Sequence, residues 1–150
     1  MKLAAFETRS VRMDSVLVMT FQAPEPDVER IMESVIRITP LSMGRYDQNA
    51  FQSAPGTERY RPLQGAAAGA EREVRKRPGV VEVSFQLSHD EELLERVIEA
   101  ILQVHSYEEP VIMLREALVS RSKGLDDKSN PHRWWNATGD WKTKALSSNE

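Results

Sequence analysis

Residues 80–104 read VVEVSFQLSHDEELLERVIEAILQV, a strand pattern followed at once by a helix pattern. Between Val81 and Leu87 apolar and polar side chains alternate, which indicates a strand with one buried face. Residues 88–91 (SHDE) have the spacing of a capping box, so we expect Ser88 to begin the helix. The helix would bury a stripe of apolar residues spaced three or four apart, namely Leu94, Val97, Ile98, Ile101 and Leu102.

The same β–α pattern occurs 64 residues earlier. Residues 15–22 (SVLVMTFQ) are apolar on both faces, which predicts a central strand covered on both sides. In this strand Thr20-Phe21-Gln22 matches Ser84-Phe85-Gln86 of the other unit. Two prolines, Pro24 and Pro26, then open a helix. Its apolar face comprises Val28, Ile31, Met32, Val35 and Ile36.

Two β–α units with further strands between them predict an α+β fold, a ferredoxin-like βαββαβ sandwich with an antiparallel sheet. The further strands are expected over residues 49–53, 58–63 and 111–114, with a loop over 64–70 and a turn at Pro78-Gly79. Both helices would pack on one face of the sheet. The other face would need a different cover, such as a second subunit.

The composition divides the chain into three segments. Residues 1–14 have no sustained period and form an N-terminal leader that either adds an edge strand or stays loose. The predicted fold occupies residues 15–119. A polar C-terminal extension, residues 120–150, contains Trp134, Trp135 and Trp141. Because indoles bury large areas, we expect this extension to pack on its own or a neighbouring subunit; a solvated tail and a docking peptide are the alternatives.

The bulk composition favours a globular protein of a reducing compartment. The 150 residues carry a net charge of −3 and no cysteine, which excludes disulfides and thiolate zinc sites and makes nucleic-acid binding unexpected. The sequence contains no signal peptide and no apolar run near the ~20 residues of a membrane span, so we expect a cytoplasmic protein without a membrane partner. Motifs for nucleotide hydrolysis, dinucleotide binding and zinc proteolysis are absent, which argues against an enzyme.

Residues 104–110 (VHSYEEP) join the second helix to the last strand and concentrate polar side chains. Three of them, His105, Glu108 and Glu109, would bind a divalent metal such as zinc, copper or manganese. Because alternate residues of a strand point to opposite faces, both glutamates reach one ion only if the backbone bends. Intersubunit hydrogen bonds or the end of the helix explain these residues equally well.

Two other polar clusters have both a functional and a structural interpretation. Tyr46-Asp47 would line a ligand cleft, or would form a turn held by an Asp-to-backbone hydrogen bond. A basic run would bind a phosphate or a nucleotide, or would be the solvated edge of a hairpin. This run comprises Arg59, Arg61, Arg72, Arg75, Lys76 and Arg77.

Several short motifs occur in the order that one known family shows. They are Gly44, Tyr46-Asp47, Phe51-Gln52, Gly56-Thr57, Tyr60-Arg61-Pro62-Leu63, Gly65 and His105-x-Tyr107-Glu108-Glu109-Pro110. Through these motifs, residues 15–117 resemble the CutA-like, ferredoxin-like domain of Nif-three-like (YqfO-like) proteins, in a stand-alone form. The sequence departs from the family pattern at Ser106, where a proline is usual, and in a shortened loop over residues 65–69.

The resemblance implies a CutA-like or PII-like homotrimer whose intersubunit clefts hold a small ligand or a metal. The residues that would line such a cleft are Tyr46, Asp47, Tyr107 and Arg61. Hydrolase activity is not expected, because the dinuclear-metal residues of the long family members lie in flanking segments without a counterpart here.

We therefore expect a non-enzymatic oligomeric binding or regulatory module, whose ligand the sequence does not identify. The alternative is a divalent-metal-binding protein of CutA-like type, with His105 and Glu108 or Glu109 as ligands. A metal-dependent hydrolase of the Nif-three-like kind is the third interpretation.

Overall fold

The computed structural model describes residues 3–137, and the chain divides into two compact units. One unit is Ser15–Val119, and the other combines the segments before and after it. No helix of this described part is long and apolar enough to cross a membrane. In chain order the elements are β1 (Phe6–Glu7), β2 (Val11–Pro24), a 3-10 turn (Glu25–Asp27), α1 (Val28–Ile36), β3 (Phe51–Gln52), β4 (Gly56–Tyr60), β5 (Arg75–Leu87), α2 (Glu91–Val104), β6 (Ile112–Ser122) and α3 (Trp134–Ala137).

The sheet of the larger unit has β2 and β5 at its centre. These strands pair antiparallel, from Leu17 opposite Leu87 to Pro24 opposite Val80. β6 pairs with β2, and β3 and β4 both pair antiparallel with β5. The order β6-β2-β5-β3/β4, with α1 after β2 and α2 after β5, is the ferredoxin-like βαββαβ arrangement. The predicted fold class is confirmed.

The core lies between this sheet and the two helices. Alternate residues of β2 and β5, including Phe21 and Phe85, turn towards the helices and are almost fully buried. In α2 the buried residues are Val97 and Ile101, whereas Leu102 is 42% exposed, so its place in the predicted stripe is wrong. Leu102 lies about 120° around the helix from the midpoint of that buried pair, which takes it out of the interface.

Neither α1 nor α2 packs on the opposite face of the sheet. At the centre of that face the Thr20 and Ser84 hydroxyls share a hydrogen bond of 2.7 Å. Arg115 of β6 donates to Thr20 Oγ1 at 3.4 Å, so Arg115 and, by alternation, Met113 lie on the same side. We call this surface the open face; it comprises Val16, Val18, Thr20, Gln22, Glu82, Ser84, Gln86, Met113 and Arg115.

Several strand bounds differ from the prediction. β2 begins at Val11 and β6 continues to Ser122, well beyond the predicted 15–22 and 111–114. Polar side chains interrupt the apolar alternation at these ends, although the backbone pairing continues. β3 is only Phe51–Gln52, and β4 ends at Tyr60, so Pro62 lies after the strand rather than in it.

The turn predicted at Pro78-Gly79 is wrong, because β5 runs straight through this dipeptide. Its pairing with β4 shifts between Gly56 and Glu58, which forms a β-bulge. Gly79 has a φ of +79° at this place, a conformation that glycine adopts without steric cost. A proline–glycine pair therefore marks an irregularity inside a strand here.

The start of α2 also differs from the prediction. Its N-cap is Asp90, whose carboxylate accepts a hydrogen bond from the Leu93 amide at 3.2 Å. Ser88 precedes this cap by two residues and does not begin the helix. The carboxylate at the N-terminus also suits the helix dipole.

The second unit is built from the two ends of the described chain. β1 pairs with the start of β2, so the leader does add a short strand. Ion pairs join Glu7 to Lys123 at 3.0 Å and Arg9 to Asp126 at 3.1 Å. The tryptophans that were expected to pack are exposed within the described part of one chain, Trp134 to 58% and Trp135 to 48%. Trp141 lies outside the described residues.

Replacing Gly79 by alanine should lower the free energy of unfolding by about 1–2 kcal/mol, because a Cβ is strained at positive φ. Gly56→Ala is the matched control, since Gly56 has an ordinary φ and its added Cβ would lie 3.8 Å from the Val80 carbonyl oxygen. Urea unfolding of both variants measures the difference. Equal stabilities would show that the bulge does not require glycine.

Candidate functional site

His105 holds the joint after α2, residues 104–110, in place through both nitrogens of its ring. Its Nε2 lies 2.7 Å from the Gln22 carbonyl oxygen, and the Tyr107 amide donates to its Nδ1 at 3.0 Å. Because a backbone amide can only donate, Nδ1 is the acceptor and carries no proton. The ring proton is therefore on Nε2, which donates a hydrogen bond to the Gln22 carbonyl oxygen. Both ring nitrogens are thus engaged, and the imidazole ties the end of α2 to the end of β2.

Tyr107 reaches from the joint to the β4–β5 hairpin. Its hydroxyl donates to Glu58 Oε1 at 2.6 Å, and the Arg77 guanidinium lies 5.0 Å from its ring centroid. Arg77 Nε also lies 3.8 Å from Glu58 Oε1, so one carboxylate serves both partners. Burial, and then the hydrogen bond to Glu58, raise the pKa of Tyr107 to about 12, although Arg77 acts in the opposite direction.

Tyr60 stands beside this pair and contacts two arginines. Its hydroxyl accepts from Arg77 at 3.0 Å and from Arg75 at 3.3 Å. Arg75 Nε in turn donates to Glu71 Oε2 at 2.8 Å, and this interaction holds the pKa of Glu71 below its usual value. Arg75 and Arg77 are therefore engaged within the chain, which removes them from the predicted anion site.

Ser106 connects the joint to the start of α1. Its hydroxyl donates to Asp27 Oδ2 at 2.6 Å, and Asp27 pairs with Arg30 at 3.2 Å. Arg30 Nε donates to the Val104 carbonyl oxygen at 2.9 Å and so caps the C-terminus of α2. The hydroxyl of Ser106, followed by Arg30, lowers the pKa of Asp27. Ser106 thus links the end of α2 to the start of α1.

The proposed metal ligands do not converge. Glu108 accepts a hydrogen bond from the Ala67 amide at 2.8 Å and thereby holds the 65–69 loop, while Glu109 is exposed. His105 has both ring nitrogens in hydrogen bonds. Within residues 3–137 no three His, Asp or Glu side chains are grouped as metal ligands. A metal site formed by these residues in one chain is therefore not supported.

Tyr46 and Asp47 lie in a turn, in agreement with the structural interpretation. The Met43 amide donates to the Tyr46 carbonyl oxygen at 2.7 Å, and the Asn49 side-chain amide donates to the same oxygen at 3.1 Å. A side chain does bind the backbone of this turn, but it is Asn49, so the prediction that Asp47 makes this hydrogen bond is wrong. Asn49 serves instead because its amide group can donate to carbonyl oxygens, which an ionised aspartate cannot do.

The predicted cleft of Tyr46, Asp47, Tyr107 and Arg61 does not form within one chain. The turn containing Tyr46 lies near Gln86, which donates to Met43 Sδ at 3.9 Å, whereas Tyr107 lies at Arg77. Gln86 and Arg77 are nine residues apart on β5. At ~3.3 Å per residue this separates the two places by roughly 30 Å.

A cavity of about 330 Å³ adjoins the joint. Glu58 forms part of its wall and also accepts the Tyr107 hydroxyl, and Gln22 forms part of its wall and also accepts from His105. Sequence reasoning missed Glu58 and Gln22; strand pairing brings them here, because it places Glu58 opposite Arg77 and Gln22 opposite Glu82. The lining is mixed polar and apolar and comprises Gln22, Ser53, Ala54, Gly56, Thr57, Glu58, Val80 and Glu82.

Ser15 and His89 form a contact that the sequence did not indicate. The Ser15 hydroxyl lies 3.0 Å from His89 Nε2. Both side chains are exposed and neither lines this cavity or the other one, of about 290 Å³ beside Phe51. In the described residues no carboxylate binds the second nitrogen of His89, so the pair lacks the third group that orients a catalytic base.

The sheet order and the two helices on one face define a ferredoxin-like α+β domain. Solved structures share this arrangement. A Bacillus cereus protein related to NIF3 matches over 73% of this chain and 27% of its own, with 18% identity and a TM-score of 0.54. The chain thus spans about a quarter of that protein's length.

Two further structures are similar at lower scores. The divalent ion tolerance protein CutA1 of Ehrlichia chaffeensis matches over 67% of this chain and 79% of its own, with 16% identity and a TM-score of 0.48. GlnK of B. subtilis matches over 69% and 85%, with 12% identity and a TM-score of 0.44. No protein-family model and no curated protein matches the sequence. At these identities the likeness shows the fold.

Replacing Tyr107 by phenylalanine should change the alkaline stability profile. An unfolded tyrosine titrates near 10 and folded Tyr107 has a pKa of about 12, so the unfolded chain loses its proton first as the pH rises. This group's contribution is complete below about pH 10 and is lost as the pH rises towards about 12. Urea unfolding across that window should show a smaller loss in Y107F than in the wild type. Tyr46→Phe, at an exposed turn, should keep the wild-type slope.

Replacing Ser106 by alanine should lower the free energy of unfolding near pH 7 by about 1–2 kcal/mol, because Asp27 loses a hydrogen bond. The lowered pKa of Asp27 contributes stability above its unfolded value, and this contribution is lost as the pH falls through the folded value. The difference between S106A and the wild type should therefore shrink towards about pH 2. Ser88→Ala, outside the helix cap, is the matched control. A constant difference at all pH values would contradict the Asp27 link.

Proposed function

We propose that this chain is the subunit of a non-enzymatic, self-associating binding module: a homotrimer akin to the CutA-like domain of Nif-three-like proteins in a stand-alone form. The observation that carries the proposal is the open face. Two helices cover one side of the sheet. On the other side Val16 and Thr20 are buried, Val18 and Ser84 are half-buried and Met113 is exposed. The proposed module acts in the cytoplasm through a ligand site, rather than through a reaction.

The apolar residues of the open face favour a protein partner over water. Met113 is 37% exposed. The hydrogen bond from the Gln22 amide to the Val111 carbonyl oxygen sets Met113 opposite Thr20 of the neighbouring strand, with Val18 two residues further along. Polar groups at the centre of this face are paired with each other, as in the hydrogen bond between Thr20 and Ser84, whereas Gln22 and Glu82 lie at its border with the cavity. An apolar patch with satisfied polar groups is typical of a surface that another subunit covers.

The edges of the sheet favour a ring of copies. β6 forms one edge of the larger unit, with Leu114 in the strand and Val111 just before it exposed, and β3 and β4 lie at the other edge. Open edges of this kind tend to pair with another chain. Because the two edges differ, their pairing is head-to-tail, and such contacts close into a ring if the rotation allows. Three copies are what the family resemblance implies.

The ligand site of the proposed module is the cavity beside the joint. Gln22 and Glu82 belong both to its lining and to the open face, so a second copy on that face would complete its wall. We propose that the assembly forms without metal, because His105 and Glu108 are already engaged in hydrogen bonds. A divalent ion would have to take ligands from more than one copy.

Light scattering on a size-exclusion column tests this proposal directly. The wild type should have three times its chain mass of 17.1 kDa, with or without added divalent metal. Met113→Glu places a charge on the open face and should give monomers. Leu102→Glu, an equally exposed apolar site on α2, should leave the trimer intact. A monomeric wild type, or dissociation of both variants alike, would refute the proposed assembly.

A further inference from the structure

β4 and the first residues of β5 form a two-stranded ribbon that extends beyond the rest of the sheet. β2 pairs with β5 only from Val80 onward, so the segment Arg75–Gly79 has β4 as its neighbour. One face of the ribbon turns towards Tyr107. The other face points to solvent; we call it the outer face, and it comprises Arg59 and Lys76, together with Arg61 directly after the end of β4, all exposed.

The two faces of the ribbon differ in whether their cationic side chains have acidic partners. On the inner face each arginine has an acidic partner, Arg75 with Glu71 and Arg77 with Glu58. On the outer face the cations are unpaired: within residues 3–137, Arg59, Arg61 and Lys76 have no ion pair and no hydrogen bond from their side chains. The arginines of the inner face are thus neutralised by acidic partners, whereas the outer face keeps a net positive charge.

The placement of these cations is unfavourable for the isolated chain. Arg59 lies directly opposite Lys76 in the register of the two strands. Like charges in that position destabilise a strand pair. The ribbon residues 56–60 and 75–79 contain four cationic side chains and one acidic side chain, whereas the whole chain has a net charge of −3. The cations are therefore concentrated on this ribbon against the charge of the rest of the chain.

Protection of a sheet edge does not explain the pattern. An edge strand is protected by charges on its own residues, which Arg59 of β4 would supply alone. Within Arg75–Gly79 β5 is an edge as well, and Lys76 can protect it, but edge protection does not require Lys76 to lie directly opposite Arg59. A multivalent anion would convert the repulsion between these two cations into attraction.

The spacing of the outer face suits an anion with several charged groups. Directly opposed residues have Cβ atoms ~5 Å apart, and residues two apart on a strand lie ~7 Å from each other. Arginine donates two parallel hydrogen bonds to a phosphate, and lysine adds a mobile point charge. We propose that the outer face binds compounds that carry two or more linked phosphate groups. All three cations belong to one copy, so this inference adds a ligand class to the proposed module without requiring the trimer.

Thermal unfolding with inorganic triphosphate tests the inference, with potassium chloride at matched ionic strength as the reference. At a hundredfold excess over Kd, triphosphate should raise the Tm of the wild type by at least about 5 °C over chloride. Lys76→Glu should raise the Tm without triphosphate by about 1–2 °C, because it replaces a repulsive pair by an attractive one. The same variant should lose the triphosphate shift and bind at least tenfold more weakly in calorimetry.

Lys128→Glu is the matched control, since it makes the same charge change at an exposed lysine of the other unit. It should keep the triphosphate shift. Inorganic phosphate should bind at least tenfold more weakly than triphosphate. An equal shift in chloride, a retained shift in K76E, or equal binding of phosphate and triphosphate would each overturn the inference. The native mass of K76E, measured in parallel, reports on the assembly separately.

Discussion

The antiparallel pairing of β2 with β5 is the contact on which the rest of the larger unit depends. Its register directs alternate side chains of both strands to the same side, where the Phe21 and Phe85 rings lie 6.4 Å apart under the helices. A slip by one residue would turn this set to the open face and empty the core. The residues that the internal repeat equates, Thr20 and Ser84, are also partners in the register. The pairing therefore places the two β–α units about a local two-fold axis.

The joint after α2 connects the central pair of strands to the segments around it. His105 ties it to β2, Ser106 to α1, Tyr107 to the ribbon and Glu108 to the 65–69 loop. Four consecutive contacts to four different segments leave few free groups for chemistry. The density of polar residues in this stretch therefore has a positioning role, and the surfaces open to partners lie on the sheet and on the ribbon.

Periodicity was sufficient where a segment has one buried side, as in α1 and in the alternating part of β5. It failed at Pro78-Gly79, because a local turn signal cannot show that β4 continues to pair beyond a bulge. The joint was recognised as a dense polar site, but its partners were not. Two of them, the Gln22 carbonyl and the Ala67 amide, are main-chain groups that residue types do not reveal. The cleft containing Tyr46 was predicted between subunits and stays a prediction; within one chain its residues lie apart, because motif order says nothing about which end of a strand a loop adjoins.

The central pairing also determines when the chain can fold during synthesis. Thr20 can pair with Ser84 only after 64 further residues have been synthesised, whereas Tyr60 and Arg75 of the ribbon are only 15 residues apart. Closing the longer loop costs about 1 kcal/mol more entropy, and the short ribbon alone is too polar to be stable. At ~5–20 residues per second, a ribosome needs about 3–13 s to make the intervening chain. For that time β2, apolar on both faces, leaves the exit tunnel without its partner, which makes the nascent chain a natural client for chaperones.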